Sequence, residues 1–183
     1  MRQLHRFAAG LPVMTALAML SVTGVANAMH HEAAVTAHAD ILNGEGAKIG
    51  EARLTQEKAG IAVRISVSGL TPGMHGTHIH SMGTCDAPDF KGAGGHWNPG
   101  SMHHGLSNAQ GHHDGDLPNL DVQPDGTGAL NFIVAGAMIT GGEMPLLDTD
   151  GAAIVIHAGP DDMVSDPAGN AGGRVACGEV HAG

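Results

Sequence analysis

Apolar and polar positions alternate with a period of two along much of this chain, the mark of strands with one buried face. Ile61, Val63, Ile65 and Val67 alternate strictly with Ala62, Arg64, Ser66 and Ser68. Val35, Ala37, Ala39 and Ile41 share one face of a strand running to Leu42, and Asn43-Gly44 then marks a turn. A weaker pattern covers Ala47 to Gln56. Leu117 to Gln123 and Thr127 to Ala135 flank Pro124-Asp125-Gly126, a hairpin signal. Gly76 to His80, Ala152 to Ala158 and Arg174 to Val180 complete the series. Some eight short strands, with turn signals between them and no convincing helix, predict an all-β sandwich or barrel.

Two stretches break the alternation. Met82 to Gly115 and Gly159 to Gly173 hold mostly Gly, Pro, His, Asn and Asp. A structureless loop as long as the first is usually functional or disordered. It is expected to be ordered by a metal ion and a disulfide instead of by apolar packing.

On the Gly76 to His80 strand, His78 and His80 point the same way, so two imidazoles stand side by side on a rigid support. Imidazole suits copper and zinc. The pair alone is a weak signal. Its company strengthens it: His96, His104, His113, Asp116, His157 and Arg174 all lie in Gly- or Pro-punctuated settings.

Composition narrows the class. With one Trp, three Phe, no Tyr and 29 Gly, the core must come from Val, Ile, Leu, Ala and Met, joined by tight turns. Residues 1–28 read as an export signal. Arg2 and Arg6 form a basic start, an apolar run follows from Leu11, and Ala26-Asn27-Ala28 is a small-x-small cleavage site. The run is too short and interrupted to span a bilayer. The expected mature domain is residues 29–183, periplasmic or secreted, opening on a solvated tail with His30 and His31.

That domain keeps six basic against eighteen acidic residues, a formal charge of −12. Nucleic acid and anionic membranes are poor partners for it. Cys85 and Cys177 are the two cysteines. An even count in an exported chain suggests a disulfide, which would close a loop of about ninety residues and be worth ~4–5 kcal/mol by chain entropy.

Six motifs in order resemble the copper/zinc superoxide dismutase family, bacterial secreted branch. They are Gly76-Thr77-His78-Ile79-His80, Gly83-Thr84-Cys85, Ala93 to Pro99 around His96, His113 to Pro118, His157 to Asp162, and Gly169 to Gly178. The resemblance covers essentially the whole mature domain and implies an eight-stranded Greek-key barrel. It implies one copper ion per subunit on His78, His80, His96 and His157. It implies one zinc ion on His96, His104, His113 and Asp116, with His96 bridging the two. His104 is preferred to His103 because it precedes Gly105, and His113 to His112 because it precedes Asp114-Gly115-Asp116. Asp161 would link His78 to His104. The implied reaction is superoxide dismutation by a copper redox cycle, with His96 and Arg174 as catalytic residues. His96 would pass a proton and Arg174 would dock the anion, since net charge repels it. The Gly159 to Gly173 loop holds no Lys or Arg, and whether Lys91 substitutes as a steering cation stays open. A copper-buffering protein on the same fold is the competing class, and a homodimer stays open. His75 and His181 belong to no motif.

Overall fold

The computed structural model describes residues 34–183. The expected signal segment, His30 and His31 lie outside them. Ten strands form one antiparallel sheet: β1 (Thr36–Asn43), β2 (Lys48–Glu57), β3 (Gly60–Val67), β4 (Gly73–His75), β5 (Thr77–His80), β6 (Leu120–Val122), β7 (Gly128–Ala135), β8 (Ala153–His157), β9 (Arg174–Glu179) and β10 (His181–Ala182). The only helical turn among the described residues is a 3-10 turn at Lys91–Ala93. The all-β expectation holds.

Hydrogen-bonded neighbours run β4-β6-β7-β3-β2-β1-β9-β8-β5, with β10 added to β1. The path begins on β4 and ends on β5, which only Gly76 separates in the chain. The sheet therefore curls until it nearly closes as a barrel. The single strand expected at Gly76 to His80 is in fact the second half of a longer bent one. Its first half pairs with β6 and its second with β8. Gly76 sits at the bend because there is no room for more: an added Cβ would lie 2.7 Å from the Ala171 Cβ and 3.2 Å from the Asp161 Cβ.

The period-two pattern decides which faces are buried. Ile61, Val63, Ile65 and Val67 on β3 and Ala37, Ala39 and Ile41 on β1 point into the core. Val35, expected on the same face, precedes β1 and is exposed. Leu117, Leu120, Leu130, Ile154 and Ile156 join them. A fully buried side chain of this size contributes roughly 1.5–3 kcal/mol by leaving water, so the barrel wall is the frame on which the loops hang. Trp97, on the long loop, packs into this core. The β6–β7 hairpin forms where Pro124-Asp125-Gly126 predicts it, with Asp125 Oδ1 accepting from the Thr127 amide at 2.9 Å.

The long loop differs from expectation in one respect. It has a small apolar anchor of its own: Phe90 and Ala93 pack on Ala153, Val155 and Cys177. The Cys85–Cys177 disulfide, with Cα atoms 5.6 Å apart, pins the same region to β9. Sequence reading misses the cluster because its partners lie on distant strands.

Candidate metal centre

β5 and β8 are neighbours in the sheet, with His78 opposite Val155 and Thr77 opposite Ile156. This places His78 and His80 beside His157 at the end of β8. The loop reaches back along the free edge of β5, where the backbone forms isolated bridges between His80 and His96 and between His78 and Asp116. Edge pairing thus delivers His96 and Asp116 to the strand histidines.

One nitrogen from each of His78, His80, His96 and His157 lies within 4.8 Å of the others. Their other contacts fix the tautomers. His78 donates from Nε2 to Asp161 Oδ2 at 2.7 Å. His80 donates from Nδ1 to the Gly94 carbonyl at 3.0 Å. His157 donates from Nδ1 to the Gly172 carbonyl at 3.0 Å. The nitrogens left over are His78 Nδ1, His80 Nε2 and His157 Nε2. All three, with His96 Nε2, are buried without a hydrogen-bond partner. A buried polar atom without a partner is costly, and four lone pairs converging this way fit a nitrogen-bound copper ion.

A second group forms around one carboxylate oxygen. Asp116 Oδ1 lies 2.9 Å from His96 Nδ1, 3.0 Å from His104 Nδ1 and 3.2 Å from His113 Nδ1. His96 Nδ1 and His113 Nδ1 are themselves 3.2 Å apart. A tetrahedron with bonds of 2.0–2.1 Å has edges of about 3.3 Å. These separations match such edges, and three imidazoles with one carboxylate suit zinc. His78 also falls within 4.8 Å of His96, His104 and Asp116. Its Nε2 is committed to Asp161 and its Nδ1 faces the four-histidine group, so His113 is the better fourth member. Among the described residues His78 and His96 belong to both groups, and His96 presents Nε2 to the first and Nδ1 to the second.

The neighbouring histidines sort by burial. His104 is fully buried, whereas the His103 side chain is 51% exposed and pairs with Asp166. His113 is buried, and His112 turns its Nδ1 to the His113 carbonyl. Asp161 joins the groups: Oδ2 takes His78 Nε2, and Oδ1 lies 3.1 Å from His104 Nε2. Asn119 clamps the Asp161 backbone from both sides, accepting its N–H and donating to its carbonyl. Gly169 gives Asp161 room, since an added Cβ would lie 1.7 Å from Oδ1.

Burial pushes the His78 pKa down to about 4, with Asp161 opposing. It depresses His80 and His157 too, so all three rings are neutral and ready to ligate near pH 7. For Asp116, burial acts to raise the pKa, but the His96 contact and the Gly105 amide outweigh it and hold the carboxyl at about 2.

Arg174 begins β9. Its guanidinium donates to the Phe90 carbonyl at 2.6 Å and to the Gly94 carbonyl, the oxygen that also accepts from His80. Phe90 takes a left-handed backbone at φ 53° with its ring fully buried, which turns its carbonyl to Arg174. Lys91 is paired with Asp89 at 2.6 Å. His75, which belongs to no motif, is buried and reaches the His157 carbonyl from Nδ1 at 2.6 Å. Asn119, Phe90 and His75 carry no ligand spacing, so nothing in the sequence marks them.

A family model described as copper/zinc superoxide dismutase matches residues 48–180. A relative from Aquifex aeolicus, named Superoxide dismutase Cu-Zn 1, is 47% identical over 147 residues, covering 78% of this chain and 86% of the relative. Another from Caulobacter vibrioides, named Superoxide dismutase Cu-Zn, is 40% identical, covering 79% of this chain and 85% of its own. A crystal structure of a SOD-like protein from Bacillus subtilis superposes with a TM-score of 0.74 at 38% identity, covering 78% of this chain and 96% of that one. The fold is also that of a Cu/Zn superoxide dismutase from Brucella abortus, with a TM-score of 0.62 at 24% identity over 80% of this chain and 99% of that one.

Proposed function

Since the chain belongs to the copper/zinc superoxide dismutase family, we propose a division of labour among its own residues for dismutation. The reaction converts two superoxide anions and two protons into O2 and H2O2. Copper, when bound, supplies the one-electron exchange, and zinc supplies a redox-inert positive charge. His78, His80, His96 and His157 hold the copper ion, and His96, His104, His113 and Asp116 hold the zinc ion. The observation that carries this reading is the set of four buried, partnerless nitrogens, three of them with tautomers fixed from behind.

His96 is the proton carrier. Its Nδ1 is fixed beside Asp116 and its Nε2 faces the other three rings, so a proton held at Nε2 sits where the reduced substrate needs it. That is general acid catalysis by histidine. Asp161 keeps His78 and His104 in register. Arg174 attracts the anion: the protein's net charge repels superoxide, so a local cation must draw it in. The carbonyls of Phe90 and Gly94 hold the guanidinium in place.

The disulfide fits an oxidising compartment outside the cytoplasm. We place cleavage of the leader near Ala28, with residues 29–183 as the mature domain. The copper-buffer reading is not favoured, since the relatives reported above at 40–47% identity are named dismutases.

The test is dismutation by copper- and zinc-loaded protein, by pulse radiolysis, against Arg174→Ile at several ionic strengths. The loaded parent is expected to be active, with a rate that falls as salt screens the guide. Arg174→Ile is expected to be slower and less salt-dependent. An inactive loaded parent rejects the function, while an unchanged variant rejects only the role of Arg174.

A further inference from the structure

The edge where β10 adds to β1 carries a second histidine pair, away from the residues assigned above. His38 on β1 stands directly across from His181 on β10 in the antiparallel register. Side chains of such cross-strand pairs emerge on one face about 5 Å apart. Their ring centroids are 6.1 Å apart with planes at 55°. His78 and His80, proposed to share one ion, are 6.3 Å apart at 53°. The two pairs match in ring separation and tilt, yet one is buried and the other exposed.

A carboxylate completes the exposed pair. Glu179 Oε2 lies 4.0 Å from His181 Nε2, the limit for two ligand atoms on opposite sides of one ion with bonds of ~2 Å each. Glu179 is also held from behind. Its Oε1 accepts from the Cys85 amide at 2.9 Å, which leaves Oε2 facing His181. His38, Asp40, Leu42, Glu179 and His181 line a shallow hollow of about 190 Å³. Asp40 is bridged to Lys48 at 2.6 Å, so these two charges cancel and Glu179 leaves the hollow negative. We propose that His38, His181 and Glu179 form a surface site for a third transition-metal ion, Cu(II) or Zn(II), separate from the buried centre. Two imidazoles and one carboxylate are donors that both ions accept, and binding requires the exposed rings to turn about their side-chain torsions so that one nitrogen of each faces the ion.

The test starts from protein already loaded with one copper and one zinc ion per subunit. Cu(II) is added, weakly held metal is removed by gel filtration, and ions are counted by elemental analysis. Electron paramagnetic resonance reports each copper environment. The parent is expected to keep a third ion with its own Cu(II) signal. His38→Ala and His181→Ala are each expected to lose that ion and that signal while dismutation activity and thermal midpoint stay at the parent values, which verifies folding. A His30→Ala/His31→Ala variant is expected to keep the third ion. The proposal is overturned if the parent stays at two ions. It is equally overturned if the third ion survives both single variants, or departs only with the tail histidines.

Discussion

The four-histidine group and the Asp116-centred group share one ring, yet they are built from different material. Three of the four histidines in the first stand on β5 and β8, strands in the hydrogen-bonded wall of the barrel. In the second, His104, His113 and Asp116 all come from the long connection between β5 and β6, which is held to the barrel by edge contacts with β5, the Phe90 anchor and the Cys85–Cys177 bridge. A nitrogen on a strand is placed by the ladder whether or not an ion is present. A nitrogen on a loop must be placed by its partners. On the proposed assignment the redox position is preorganised by the fold, while the second position leans more on its ion and its carboxylate to set the ligand-bearing part of the loop. Ion exchange and loop order are expected to be coupled at the second position and uncoupled at the first.

The strongest way to break this contrast is His80→Ala. It should abolish activity measured by pulse radiolysis while elemental analysis still finds one zinc ion. Loss of both ions together would mean that the groups form one unit. Next in size is Asp161→Ala, which cuts the carboxylate joining His78 to His104. It should weaken copper affinity roughly 10–100-fold, the usual effect of removing a group that orients a ligand, in competition titrations with a chelator. An unchanged affinity would show that the strand alone orients His78.

Replacing both Cys85 and Cys177 by Ser should lower unfolding free energy by about 4 kcal/mol in the chain-entropy picture, read by denaturant titration. Because the bridge fastens the loop to β9, hydrogen exchange should rise first around Phe90 and last in β3. A uniform rise would contradict a barrel that is stable on its own.

A last test is pH, in the metal-free chain. Burial sets the folded pKa of His78 at about 4, against about 6.5 in the unfolded chain. Between those values the unfolded chain binds more protons, so stability falls as pH drops from about 6.5 toward 4. Burial shifts His80, His113 and His157 the same way. Asp116, with its folded pKa lowered to about 2, adds a further loss below about 4, where unfolded carboxylates protonate. Bound cations keep the rings deprotonated and should move the onset to lower pH. Equal onsets with and without metal would sink this reading.

Much of the barrel is legible in the sequence because period-two alternation is a local signal. β3 and the β6–β7 hairpin can be read residue by residue. β4 and β10 cannot: three and two residues are too few to show a period. Of the centre, the ligand-bearing motifs are legible as types and spacings. Which member of His103-His104 or His112-His113 turns inward depends on burial, and burial comes from loop packing. The contacts of Asn119, Phe90 and His75 join positions roughly 40 to over 80 residues apart. Nothing local encodes such contacts.

The Gly94 carbonyl accepts from both His80 and Arg174. In the roles proposed for His80 and Arg174, one oxygen thus answers to the electronics of a copper ligand and to the attraction of the substrate. A protein engineer aiming for faster anion capture by moving the guanidinium would also alter how strongly His80 donates to copper. Under those proposed roles, capture and reduction potential are geared to one another, and selection acting on either has to carry the other along.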